Sequence, residues 1–445
     1  VNGVRRRLGA LRSDADTRSL SLDTAWSLGI EAFRIVSAVA TFTMLGRSLG
    51  PGAYGDYVAI YAVLGMFTAL AYAALMLVVL QVSMRDGESP ATVGRSCLTI
   101  ALVSGAVFMA AAVVAVAFVV DTVSVRTALA FALSEMIFTG AAEVITNAYV
   151  AATTFRSGVR IRLANMVARL AVVGTLSGTG SLTLGNLAVG NLLVLAAFSV
   201  GVLAFVHRRT GMLLLPGRPE WRFVRMGGLF VGPMIAYNLL NDGDKIVLRS
   251  RVDEATVGLY SAAYRIVGLA LVPLGALVGS SHLRFLQHDE NATGQHVRRA
   301  RRFTVVGLVY ALPVGVGLMA FAPLITTLLG DSFAGTEAMI RWLVPFVLVR
   351  SCWTFAMNGL LGLGRLGVRA LIQALSAVSS MALYLVCIPR WGWQGAVVAT
   401  VLNELLLSIA AWVALLRAQA RHDAGVSVQT AEASHEPDAA PVTGA

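Results

Sequence analysis

Lysine is almost missing from this chain: Lys245 is the only one among 35 Lys and Arg residues. Charge of either sign is scarce, at 13% of 445 residues, where a soluble domain carries about 25%. That excludes an ordinary water-soluble fold. Cysteine is scarce too. Cys97, Cys352 and Cys387 lie in or beside apolar runs without metal-ligand spacing, so they read as small core residues. None of the six His falls inside an expected span, and no His/Cys cluster suggests zinc. No Ser/His/Asp set and no phosphate-binding loop appears, so an enzyme is not expected and no cofactor is implied.

Apolar sequence is what the chain has in abundance. Hydrophobic residues make up 57% and the mean hydropathy is +0.74. Runs of about 20 apolar residues recur, each long enough to cross a roughly 30 Å hydrocarbon core. A β-barrel would show short alternating segments instead. The expected fold class is all-α, a polytopic membrane protein of twelve helices. The spans fall near 25–45, 54–80, 96–119, 127–152, 161–178, 182–206, 226–248, 255–281, 303–328, 338–361, 368–388 and 394–416.

The placement of basic residues supports that count. With twelve spans, 24 of the 35 fall on one side, six on the other and five within spans. The net charge of +11 is therefore read as positive-inside topology, with both termini cytoplasmic, and not as a nucleic-acid surface. A basic segment, 1–23, precedes a six-helix lobe over 24–206. A basic linker with Pro216, Gly217 and Pro219 follows over 207–225, then a second lobe over 226–417 and a disordered tail over 418–445. The first segment does not read as a cleaved signal, because Glu31 and Arg34 interrupt the first apolar run.

Two repeated patterns support the division. Gly55-x-Tyr57-x-x-x-Tyr61-x-x-x-Gly65 recurs as Gly258-x-Tyr260-x-x-x-Tyr264-x-x-x-Gly268. Arg156-x-Gly158-Val159-Arg160 recurs as Arg365-x-Gly367-Val368-Arg369. Six helices per lobe give both copies one orientation, hence a pseudo-two-fold axis along the membrane normal.

Charges inside spans are costly, so each needs a protein partner, water or a ligand. Arg34 lies about 15 Å into the first span at 1.5 Å per residue, three residues after Glu31. Arg265 is as deep in the eighth span, and Arg350 is deep in the tenth. Arg341 pairs by spacing with Glu337 near an end, and Arg169 follows Asn165 by one turn. Arg34, Arg265 and Arg350, with Lys245, are the candidates for binding an anionic ligand; self-neutralising pairs are the alternative. Asp242 and Asp244 beside Lys245, and the stripe Glu135, Thr139, Glu143, Asn147, are candidates for coupling to Na⁺ or H⁺. They serve equally well as partners for the arginines.

Leu45-Gly46-Arg47-Ser48-Leu49-Gly50-Pro51-x-x-Tyr54-Gly55-x-Tyr57 resembles the first-helix motif of Wzx-type polysaccharide flippases, members of the multidrug/oligosaccharidyl-lipid/polysaccharide exporter superfamily. Asp244-Lys245-x-x-Leu248 followed by Val257-Gly258-x-Tyr260-x-x-Ala263-Tyr264-Arg265 is similar to their seventh-to-eighth helix segment, and Ile388-Pro389-Arg390-x-Gly392-x-x-Gly395-Ala396 to their last turn. The resemblance implies a two-lobed transporter in the bacterial plasma membrane. It would move polyprenyl-diphosphate-linked oligosaccharide to the outer leaflet by alternating access through a cationic cavity. Its partners would be that lipid, the bilayer and the polymerase or glycosyltransferases of the same pathway. Guanidinium forks suit a diphosphate. A multidrug antiporter of the same superfamily is the alternative, although cationic substrates favour acidic cavities. A major-facilitator carrier lacks support, because its basic loop motif is absent from 85–95. A membrane glycosyltransferase or polymerase would need catalytic groups on sizeable outer loops, and the first outer turn offers only Asp56.

Overall fold

The computed structural model describes the backbone over 2–286 and 294–434, and side chains over 33–424 apart from 155, 280, 282–284 and 286–293. Among the described residues the protein is helical and has no strand. Among the described residues eight helices are long and apolar enough to cross a membrane, or nine when the pair Glu254–Ala270 and Val272–Gly279, bent by 42°, is taken as one span. Two of the eight are double. Gly50 (φ 71°, ψ 175°) breaks the first, and Gly392 (φ 56°, ψ −132°) breaks the last. Both sit in the left-handed φ range open to glycine, and Pro51 starts the next helix, where its missing N–H costs nothing. Phe155–Gly178, with Arg156, Arg160, Arg162 and Arg169, is a further 24-residue helix.

Twelve long segments result: α1 (2–49), α2 (51–85), α3 (Pro90–Val119), α4 (Val125–Ala152), α5 (Phe155–Gly178), α6 (Leu184–Thr210), α7 (Trp221–Arg249), α8 (254–286), α9 (Gln295–Phe321), α10 (Thr336–Gly362), α11 (366–391) and α12 (393–434). Each contains or overlaps an expected span.

Two helix ends differ from the sequence expectation. The ninth helix stops at Phe321 and not at 328, since Pro323 cannot continue its hydrogen-bond ladder; Leu324–Leu329 forms a separate short helix. The last helix continues to Ser434, past the tail boundary expected at 418. Ala418–Arg421 are good helix formers, and Gln419 Nε2 donates to Asp423 Oδ1 one turn on, at 2.8 Å. Residues 435–445 lie outside the described residues, as do the side chains of the basic segment 1–23 and of Glu31.

The chain forms two compact units. One comprises 1–50, 71–113 and 124–227, the other 51–70, 114–123 and 228–445. Segments 51–70 and 114–123, expected with the first half of the chain, thus group with the second. In the first unit, α4, α5 and α6 bury Phe131, Val144, Leu187, Ala188 and Val206. The linker 211–220 is strapped to α3: Gly217 N donates to Arg95 O at 3.2 Å, Thr99 Oγ1 to Gly217 O at 2.7 Å, and Glu220 N to Ser96 Oγ at 2.9 Å. In the second unit one core gathers Leu248, Val257, Tyr260, Leu343, Val347 and Ala396, and another Phe285, Ala356, Leu360, Leu407 and Ala411. Lipid is as apolar as these side chains, so close fit holds the helices together. A Cβ on Gly359 would lie 2.8 Å from Leu415 Cδ1.

Candidate functional site

The second unit holds a cavity of about 320 Å³ whose walls include Asn241, Tyr264, Gly268, Phe346, Arg350 and Trp353. Residues of α7, α8 and α10 line it. On α7, Lys245 is buried, and its Nζ lies 3.1 Å from Asp242 Oδ1 and 3.2 Å from Asp244 Oδ1. It also donates to the Asn241 carbonyl and sits 4.1 Å above the Tyr264 ring. Asp244 is 1% exposed and accepts from Tyr260 Oη at 2.7 Å. The two carboxylates expected to bind a mobile cation therefore already surround one, the ammonium of the chain's single lysine. Desolvating three charges together is tolerable because each has a partner.

On α10, Arg350 lines the cavity between Phe346 (5.3 Å) and Trp353 (5.4 Å). Its Nη1 donates to Glu404 Oε1 of α12 at 2.7 Å, and Trp353 Nε1 donates to Glu404 Oε2. The acid missing from α10 within three or four residues of Arg350 is thus supplied by another helix. Behind these walls two cations face three carboxylates, Lys245 with Asp242 and Asp244, and Arg350 with Glu404; of these five side chains Arg350 lines the cavity itself. Fully ionised, the cluster carries one net negative charge. Arg265 is exposed and is not among the cavity-lining residues, since consecutive helix positions point about 100° apart. Arg34 belongs to the first unit, where it is exposed on α1.

The acidic stripe of α4 faces α5 within the first unit. Arg169 Nη1 and Nη2 grip Glu135 at 2.5 and 2.9 Å, and Nη2 also donates to Thr139 Oγ1 at 3.0 Å. Arg162 reaches Glu143 Oε2 at 3.3 Å and Asn147 Oδ1 at 3.2 Å. Residues at four-residue intervals on one helix meet arginines seven apart on the next, so the stripe joins two helices. The helix widens to a π turn over Leu133–Thr139, around Glu135, a form frequent at functional places in helices.

A second charged cluster in the second unit escaped the sequence reading. Arg249, one turn beyond Lys245, is buried with Asp56: Nε donates to Asp56 Oδ1 at 2.7 Å. Its Nη2 donates to Asp121 Oδ1 at 3.0 Å and Thr122 Oγ1 at 3.3 Å, while Thr122 Oγ1 donates to Asp56 Oδ2 at 2.5 Å. Beside this lock, the repeated glycines pack on each other's segments. A Cβ on Gly258 would overlap the Pro51 carbonyl, and one on Gly55 would overlap the Glu254 carbonyl and lie 2.7 Å from Gly258 N. These contacts tie 51–70 and 114–123 to α7 and α8. The signal was legible, since Asp56 was the lone acid of its turn beside Gly55, but only folding pairs it with a residue 193 positions on.

At the Arg249 end of α7, Asp253 caps α8, accepting from Thr256 N at 2.8 Å and Thr256 Oγ1 at 2.7 Å. These donors hold its carboxyl below the usual aspartate range. In the linker region, Arg222 donates to both oxygens of Glu88, at 2.5 and 2.7 Å, and lowers the Glu88 carboxyl in the same way.

Comparison with known proteins agrees with this architecture. Residues 44–337 match the family described as polysaccharide biosynthesis protein. No curated protein is similar enough in sequence to count as a relative. An inward-facing multidrug resistance MATE family transporter of the MOP superfamily shares the fold, with a TM-score of 0.62 and 15% identity, covering 88% of this chain and 94% of that one. The lipid II flippase MurJ, in an inward closed conformation, is similar at a TM-score of 0.62 and 10% identity, covering 90% and 91%. A MOP superfamily transporter from Pyrococcus furiosus, described as having a binding pocket of reverse polarity, is similar at a TM-score of 0.54 and 13% identity, covering 88% and 94%. These three neighbours are described as transporters or a flippase. The chain belongs to the polysaccharide biosynthesis protein family, a multi-pass membrane protein with the fold of MOP superfamily transporters.

Proposed function

We propose that this protein flips a polyprenyl-diphosphate-linked oligosaccharide from the inner to the outer leaflet of a bacterial plasma membrane, by alternating access, with both termini cytoplasmic. The family membership carries this reading, together with one observation: Arg350 stands in a cavity walled by Tyr264, Phe346 and Trp353. Aromatic faces pack against the C–H faces of sugar rings, and a guanidinium fork suits a phosphate. The polyprenyl tail stays in lipid. Asp242 and Asp244 are the coupling groups, exchanging the Lys245 ammonium for Na⁺ or H⁺. Glu135 and Glu143 keep their arginines and hold α4 to α5. Glycosyltransferases of the same pathway supply the substrate and a polymerase receives it.

The three carboxylates held by Lys245 and Arg350 favour a second reading, an ion-coupled multidrug antiporter for organic cations. Liposomes decide between them. One set carries a fluorescent polyprenyl-diphosphate oligosaccharide, the other an ethidium-type cation. The first reading expects flipping of the lipid-linked sugar, loss of it in Arg350→Ala, partial recovery in Arg350→Lys, and a smaller effect of Arg265→Ala. Cation extrusion with no sugar-lipid flipping would establish the antiporter instead.

A further inference from the structure

A groove of about 440 Å³ lies between α5 and α6 in the first unit. Its apolar part is lined by Ile161, Ala164, Phe198, Val202 and Phe205, and two arginines, Arg160 and Arg209, line the same groove. The volume falls in the range of roughly 300–1,000 Å³ usual for small-molecule sites. The reason for the groove is local. The helices fit closely where a Cβ on Gly190 would lie 2.8 Å from Val172 Cγ1, whereas around Gly201 nothing stands within 4 Å of such a Cβ. The arginines belong to one end of the helix pair, Arg160 near the start of α5 and Arg209 in the last turn of α6 with His207 and Arg208. Arg209 is held over the Phe205 ring at 5.7 Å, so its charge borders the apolar channel.

We infer that this groove is a binding site for an anionic phospholipid of the Arg-rich membrane face, its phosphate between Arg160 and Arg209 and one acyl chain along Gly201. Charge at one end and hydrocarbon along the rest match a lipid and not a soluble anion. Two guanidiniums select a net anionic headgroup, because a choline headgroup carries its own compensating cation. Among the described residues neither arginine has a carboxylate partner in this unit, unlike Arg162 and Arg169 on α5.

Native mass spectrometry of the purified full chain tests this, with dioleoyl phosphatidylglycerol, dioleoyl phosphatidylcholine and undecaprenyl phosphate as probes. Arg160→Gln/Arg209→Gln should weaken phosphatidylglycerol binding about thirtyfold, each basic side chain near a membrane surface counting for roughly fivefold. Phosphatidylcholine binding should not change. Gly201→Leu, which adds a side chain into open groove on a helix that tolerates it, should reduce phosphatidylglycerol binding while both arginines remain. Phosphatidylglycerol binding that is equal in all three proteins overturns the site. So does a groove that both variants empty of undecaprenyl phosphate while phosphatidylglycerol binding is unaffected. None of these readouts depends on transport, so the site stands or falls apart from the flippase reading.

Discussion

Replacing Arg249 by Met should destabilise the protein by about 3–5 kcal/mol, the usual cost of leaving one member of a buried ion pair behind. The Arg249 side chain is 7% exposed and that of Asp56 is 6%. Without the guanidinium, Asp56 keeps only the Thr122 hydroxyl as a donor among its contacts in the lock. The other arm is worth much less, because the Asp121 carboxylate is 81% exposed and an exposed pair contributes about 0–1 kcal/mol. Asp121→Asn should therefore be nearly silent. Arg249→Met/Asp56→Leu removes both buried charges, and such apolar replacements are often neutral or better. The double variant should regain most of what the single loses. Unfolding in mixed detergent micelles, followed by tryptophan fluorescence, gives the four stabilities of the cycle. If Arg249→Met costs less than about 1 kcal/mol, or if Asp121→Asn costs as much as Arg249→Met, the buried lock does not hold α7 in place. A real lock also bears on the cavity, since Lys245 and Arg249 share one face of α7 four residues apart.

Gly258→Ala should prevent stable assembly, because its methyl would overlap the Pro51 carbonyl, while Gly65→Ala, with nothing within 4 Å, should fold normally; yield of monodisperse protein reads both. Glu135→Gln should cost on the order of 3 kcal/mol, whereas Glu143→Gln, facing a half-exposed Arg162 at 3.3 Å, should cost no more than about 1 kcal/mol; equal losses in thermal unfolding would contradict the geometry. Asp253→Ala should cost about 1 kcal/mol at neutral pH. The folded carboxyl titrates below its unfolded value, so the cap contributes fully above about pH 4 and is lost as pH falls through the folded value. The stabilities of wild type and Asp253→Ala should converge on acidification, and a constant gap would refute the cap.

The twelve helices were legible because period and length are local properties. Apolar runs, Gly50-Pro51 and Gly392 mark spans and breaks that the neighbouring residues decide by themselves. The repeated Gly-x-Tyr pattern was legible as a repeat, but its physical use was not. Gly55 and Gly258 are both small because their segments touch each other, and a spacing of 203 residues does not announce a contact. The same limit applies to the charges. Glu135 and Arg350 looked like candidates for a ligand or an ion, yet each has a counterion on another helix, Arg169 at 34 residues and Glu404 at 54. Asp244 and Lys245 were recognised as a cluster because they are adjacent. Their enclosure by Tyr260 and Tyr264 follows from α7 packing on α8, which periodicity alone leaves open.

The charge around the cavity makes a demand on transport as proposed. Glu404 already answers Arg350, and Asp242 and Asp244 already answer Lys245. A lipid diphosphate brings two more negative charges to a cluster that is net negative. At about 7 Å and an effective dielectric constant of 20, each phosphate–carboxylate pair repels by on the order of 2–3 kcal/mol. Arg350 can turn from Glu404 to a phosphate, but that exchange leaves the total charge unchanged. Something positive must therefore enter with the substrate, or a carboxylate must take up a proton. Asp242 is the natural place, because its side chain is 44% exposed while that of Asp244 is 2% exposed. Flipping should then speed up with Na⁺ or with lower pH on the side where the substrate loads. Asp242→Asn, which removes one negative charge in advance, should bind substrate more tightly and lose most of that dependence. Liposome flipping rates measured across pH and Na⁺ decide it: a rate indifferent to both in the wild type means that the cavity accepts the diphosphate without a compensating cation, and the coupling role of Asp242 and Asp244 falls.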